Sequence, residues 1–247
     1  RPAGPALGMA HYQRAELHRI HGEYASAEAA YRAAADRGHD PHPGLALLWL
    51  AQGRTEAAAA AIRRALGGTS GALPGVTDEL AGPRAKAESL AAAVEILLGA
   101  GDGAAAEQAS TELARIARTV GTDVATATAD RARGQVLLAR GRPGEALEPL
   151  LSARRRWLEL RAPYETARTR ILVGLALREL GDEKTAEIEL AAAEHAFAEA
   201  GLDPGLAIES GPSAKSPAGR RDGLSPARSR CCAWCPRAAP TARSPGG

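Results

Sequence analysis

From about residue 9 to residue 200 the chain repeats one short pattern of small and large apolar positions set among polar ones. It is clearest over Leu172–Ala193, LVGLALRELGDEKTAEIELAAA. Counted from Gly181, a small residue stands seven back (Gly174) and a large apolar one four back (Leu177). Ala186, Leu190 and Ala193 stand five, nine and twelve ahead. These spacings put the marked positions on one face of a helix on either side of a glycine turn, which predicts a helix, a turn and a second, antiparallel helix. The small residues let the two helices approach closely, and the large ones fill the space beside the crossing.

The same template fits around Gly22, Gly53, Gly101 and Gly141, and all five glycines have alanine five residues on: Ala27, Ala58, Ala106, Ala146 and Ala186. Seven back stand Ala15, Ala46, Val94, Gly134 and Gly174; four back stand His18, Trp49, Leu97, Leu137 and Leu177. Twelve ahead come Ala34, Ala65, Leu113, Ala153 and Ala193. The third copy fits least well, because Ser110 takes the place of the large residue nine ahead. Five helical hairpins follow: 9–20 with 24–37, 45–51 with 55–66, 83–98 with 104–120, 123–139 with 143–160, and 163–178 with 183–200. Thr55 reads as a cap, Pro143 and Pro163 as first-turn prolines, and Gly201 as a helix stop. The Pro/Gly-rich residues 1–8 read as a lead-in, and residues 204–209 as a short final segment of the repeat domain, 9–209. From Ser210 to Gly247 the apolar periodicity vanishes, and a disordered tail is expected.

The pattern resembles the tetratricopeptide repeat, most clearly in Ala15-x-x-His18-x-x-x-Gly22-x-Tyr24-x-x-Ala27-x-x-x-Tyr31-x-x-Ala34. The resemblance implies an all-α fold of stacked antiparallel hairpins in a superhelical array. The anchor glycines are 31, 48, 40 and 40 residues apart, against about 34 in the standard repeat. Longer helices or insertions between them must absorb the excess, and Gly67–Gly75 accounts for much of the 48-residue step.

Composition narrows the picture. With 58 alanines in 247 residues, and only one Phe, four Tyr and three Trp, the core must be built from Ala and Leu with few aromatic anchors. Residues 211–247 hold seven Lys/Arg against one Asp, leaving 24 basic and 28 acidic residues in 1–210. A mildly acidic body gives no reason to expect strong binding to a phosphate backbone. No apolar run approaches a membrane span, and the N-terminus lacks the order of a secretory signal, so a cytoplasmic protein without a membrane partner is expected. Arg1 in place of an initiator Met suggests a fragment or a partial reading frame.

Few residues suggest chemistry. His18 and His21 lie one helical turn apart and His11 two turns below His18, but no Asp, Glu or Cys at ligand spacing completes a metal set, and His18 occupies a packing column. His39 and His42 flank prolines in a loop. The glycines of Gly67–Gly75 lack the Lys-Ser/Thr pair of a phosphate loop. Cys232-Ala-Trp-Cys235 has the spacing of a redox pair but neither the strand before it nor the helix after it. Arg154-Arg155-Arg156-Trp157 reads as a solvated helix face with an apolar anchor. No catalytic constellation, cofactor or metal is expected, which points away from an enzyme. In an array of this kind the first helices line the concave face, where Arg131, Gln135, Arg168 and Arg178 are the candidates for contacting a protein or small effector.

Residues 9–209 also resemble the helical-repeat segment of large actinobacterial LuxR-type transcriptional regulators. The resemblance is carried by YQRAELHRIHGEYASAEAAYRAA, PHPGLALLWLAQGRTEAAAAAIRRAL and Ala162–Gly201. It implies a segment that senses a signal or partner ahead of a C-terminal helix-turn-helix opening with GLTPREVEVLRLVA. The chain reaches Gly223-Leu224-Ser225-Pro226 and then departs from that motif. Reading the last base of each following codon with the first two of the next allows REVEVLRLV, then Pro or Ser, then AGRTNREIAG. Trp234 must be TGG and each Cys TGY, so the shifted frame can read CTG-GTG, Leu-Val, across Ala233, Trp234 and Cys235, while free third bases give latitude elsewhere. A one-base slip after Pro226 is therefore expected to have replaced the helix-turn-helix with an off-frame tail, so that DNA binding belongs to an in-frame relative. The alternative is a stand-alone repeat scaffold for protein assembly.

Overall fold

The computed structural model describes residues 4–67 and 82–202, and every regular element among them is an α-helix. In chain order these are α1 (Gly4–Ile20), α2 (Tyr24–Ala35), α3 (Gly44–Ala51), α4 (Thr55–Gly67) and α5 (Pro83–Gly99). They continue as α6 (Gly103–Val120), α7 (Asp123–Ala139), α8 (Pro143–Glu159), α9 (Pro163–Glu179) and α10 (Glu183–Ala200). Each odd-numbered helix packs on the helix after it, and hairpins stack in sequence order. The molecule is an all-α array of five antiparallel hairpins. The expected final segment 204–209, the tail 210–247, with its Cys232/Cys235 pair, and most of the Gly67–Gly75 insertion lie outside the described residues.

The hairpin turns explain the anchor glycines. Gly22, Gly53, Gly101, Gly141 and Gly181 all have positive φ, between 66° and 85°. The amide after each glycine donates to the carbonyl of the residue four before it: Glu23 to His18, Arg54 to Trp49, Asp102 to Leu97, Arg142 to Leu137 and Asp182 to Leu177. This is the six-to-one bond that closes a helix C-terminus through a left-handed residue, a conformation glycine adopts without a Cβ clash. The second helix then starts within two residues, and in α6 and α10 the Asp102 and Asp182 side chains accept from the amides of Ala105 and Thr185.

The periodic columns form the core. Ala27, Ala58, Ala106, Ala146 and Ala186 are all completely buried. A Cβ added to Gly134 would stand 2.4 Å from Leu150 Cγ, and one added to Gly174 would stand 2.8 Å from Leu190 Cγ. The column seven before the anchor thus meets the column nine after it, and the two helices touch through that pair. Hairpins three to five use helices of 17 or 18 residues, whereas α2, α3 and α4 have 12, 8 and 13, and the 48-residue step from Gly53 to Gly101 also holds residues 68–82 between α4 and α5.

Two local expectations are corrected. Residues 1–8 are not a lead-in as a whole, because α1 begins at Gly4. A proline one residue inside the helix costs no internal bond, and Gly8 fits closely, since a Cβ there would stand 2.8 Å from His39 Cβ. Thr55 is not a cap: it is the first residue of α4, and Arg54 supplies the carbonyl that accepts from Ala58. No described helix is long and apolar enough to cross a membrane.

Candidate functional site

The first helices α5, α7 and α9 place charged side chains against one another. Glu95 of α5 is 4 % exposed and accepts from Arg131 Nη1 of α7 at 2.9 Å. Arg168 Nη2 of α9 donates to both Glu95 oxygens at 2.8 Å. Glu165 of α9 extends the cluster, 3.4 Å from Arg131 Nη2 and 3.7 Å from Arg168 Nη1. The Arg168 guanidinium lies over the Tyr164 ring, 5.6 Å from its centre. Glu95, Arg131 and Arg168 stand six, ten and thirteen residues before their anchor glycines, so the cluster climbs about one helical turn per hairpin across the face.

Burial alone would raise the Glu95 carboxyl, but Arg168 and Arg131 outweigh it and hold the group down at about 2. Arg168 is half-buried, and although burial works against its charge, Glu95 raises its pKa above the ordinary guanidinium value. A carboxylate hydrogen-bonded by two guanidiniums is the arrangement in which a buried charge is tolerated, and removing either side leaves an uncompensated ion.

A second polar cluster sits in the first hairpin. Glu16 of α1 accepts from Arg19 Nη2 at 2.7 Å and from the Tyr31 hydroxyl of α2. Gly44 closes over this pair, since a Cβ there would stand 2.0 Å from Glu16 Oε1. Arg19 of this cluster also helps, after Arg168 and Arg131, to lower the Glu95 carboxyl. Burial and the Glu16 charge push the Tyr31 and Tyr12 hydroxyls well above their ordinary value.

The four candidates for partner contact fall in different settings. Arg131 and Arg168 are brought together on Glu95, and Gln135, one turn along α7 from Arg131, is 2 % exposed. Arg178 stands apart at the end of α9, where its Nε donates to Glu183 at 3.1 Å. Sequence reasoning missed Glu95, Glu165, Glu16 and Arg19. The signal for Glu95 was available, as a lone acid inside the apolar run AAAVEILL.

The other chemical candidates are dispersed. His18 pairs with Glu23, His21 Nδ1 lies 2.7 Å from the Leu17 carbonyl, and His39 and His42 stack edge-on against Tyr12 and Trp49. Among the described residues no group of three or more His, Cys, Asp or Glu could hold a metal ion. In the arginine run, Arg154 pairs with Glu189 of α10, Arg156 pairs with Asp123 of α7, and Trp157 is buried. A cavity of about 960 Å³ lies beside the first three hairpins, bordered by Tyr12, His42, Leu90 and Leu97. Leu66 and Gly82, near the two ends of the undescribed stretch 68–81, also line it.

The described residues form a stack of helical hairpins in which the first helices α5, α7 and α9 carry a buried, charge-neutralised cluster. No protein-family model, curated protein or solved structure matches the chain.

Proposed function

We propose that the chain is the regulatory, protein-interaction segment of a LuxR-type transcriptional regulator whose DNA-binding helix-turn-helix has been lost to a one-base slip after Pro226. The observation that carries this reading is the shifted frame of residues 227–247. Codon degeneracy allows that frame to be read as about twenty consecutive residues of the family motif directly after Gly223-Leu224-Ser225-Pro226, where that motif belongs. The tetratricopeptide-like pattern supports it, since stacked hairpins offer a long concave surface of the kind such segments use to engage a partner or effector. In this reading the body is non-enzymatic and acts in the cytoplasm. Arg131, Gln135, Arg168 and Arg178 mark the face on which a protein or small effector is sensed, and no cofactor is required.

The second reading is a stand-alone scaffold for protein assembly. Five hairpins favour it, because three or more repeats suffice for a stable stack. Sequencing the gene through codon 226 and the frames on either side separates the two. The regulator reading expects one base missing or added at that point, a helix-turn-helix in the restored frame and an ATPase frame upstream. A confirmed frame with no helix-turn-helix in any downstream reading would leave the scaffold.

A further inference from the structure

In a stack of hairpins each unit ordinarily touches only its neighbours. The Arg168–Glu95 bond departs from that rule, joining the fifth hairpin to the third across the fourth, over 73 residues of sequence. Among the described residues, the two buried apolar clusters that reach these helices do not make this connection. One buried cluster runs from α3 through α7 and another joins α7, α8 and α9, and neither contains residues of both α5 and α9. Both Glu95 oxygens are taken by guanidiniums, and Arg131 is shared between Glu95 and Glu165. The direct link between α9 and α5 among the described residues is therefore one of charge, beside the packing of both helices on α7.

We propose that Glu95 is a latch: it holds hairpins three to five in one curvature and keeps the guanidiniums of Arg131 and Arg168 turned inward. Its release opens the concave face and presents both cations to a partner. Opening is feasible because both sides rehydrate when they part, and water offsets much of what the ion pair contributes. No apolar surface shared by α5 and α9 has to be exposed. Only the presentation to a partner rests on reading the concave face as an interaction surface; the coupling of α9 to α5 stands without it.

Amide hydrogen exchange on the full chain at neutral pH tests the latch. Glu95→Gln keeps the shape and removes the charge, and it is expected to speed exchange in α9 and α10 by about tenfold or more, leaving α1 and α2 unchanged. Arg168→Met is expected to give the same pattern, and the double variant to add little to either single one. Acceleration confined to α4, α5 and α6, or fully additive effects, would overturn the proposal. If Glu95→Gln does not fold, Arg168→Met alone decides, because a latch requires it to speed exchange in α9 and α10, and unchanged exchange there would overturn the proposal. These outcomes are independent of the gene sequence, so the latch and the regulator reading fail separately.

Discussion

Arg161 performs at the turn between α8 and α9 the task that glycine performs at the hairpin turns. Its φ is 52°, its amide donates to the Leu158 carbonyl, and the amide of Ala162 donates to Trp157. A side chain in that region costs about 1–2 kcal/mol, part of which glycine would give back by enlarging the unfolded ensemble. Arg161→Gly is therefore expected to stabilise the fold by about 0.5–1 kcal/mol in urea titration, since the side chain is exposed. Glu95 contributes to the acid limb of stability. Its carboxyl is held near 2 against an ordinary 4.5. The folded state thus binds fewer protons than the unfolded one, and the stabilisation is fully present above about 4.5 and lost as pH falls toward 2. Melting temperature followed between these limits should drop steeply in the native chain and less steeply in Glu95→Gln. Equal slopes would mean that the arginines do not hold this carboxylate. The alanine columns and anchor glycines were legible because they recur at fixed offsets. Glu95, Arg131 and Arg168 were not legible as a cluster, because they occupy a different offset in each hairpin.

At the scale of the helix pair, contact is decided by which helix carries the bulk. Gly134 faces Leu150 and Gly174 faces Leu190, whereas the equivalent pair in the third hairpin is Val94 and Ser110, both buried. The poor fit of Ser110 is an exchange of large and small across the interface. Gly134→Ala is expected to cost about 1–2 kcal/mol despite the better helix propensity of alanine, because Leu150 is completely buried and cannot swing away. Ser110→Leu should cost about 1–3 kcal/mol by overpacking, and Val94→Ala introduced with it should recover most of that loss. Purely additive effects in that pair would show that the two columns do not meet in the third hairpin. Helix boundaries were readable to within a residue or two wherever glycine or a first-turn proline marked them. The start of α1 was not, because Pro5 and Gly8 read as loop residues in sequence while a first turn and a close approach to His39 accommodate them.

For the whole molecule, a body of net acidic charge gives no reason to expect strong binding to a phosphate backbone, and the cluster on α5, α7 and α9 neutralises its own charges. In the proposed reading DNA recognition belonged to residues beyond Pro226, and as written these cannot supply it. Pro236, Pro240 and Pro245 interrupt any recognition helix, and only Trp234 and three cysteines offer bulky apolar surface. The most direct measurement is selection from a random duplex pool at about 150 mM salt, near physiological ionic strength, run on the chain as written and on one with the frame restored after Pro226. The account expects the restored chain to enrich one sequence and the chain as written to show only weak, salt-sensitive association through its basic tail. Sequence preference in the chain as written, or none in the restored one, would contradict it.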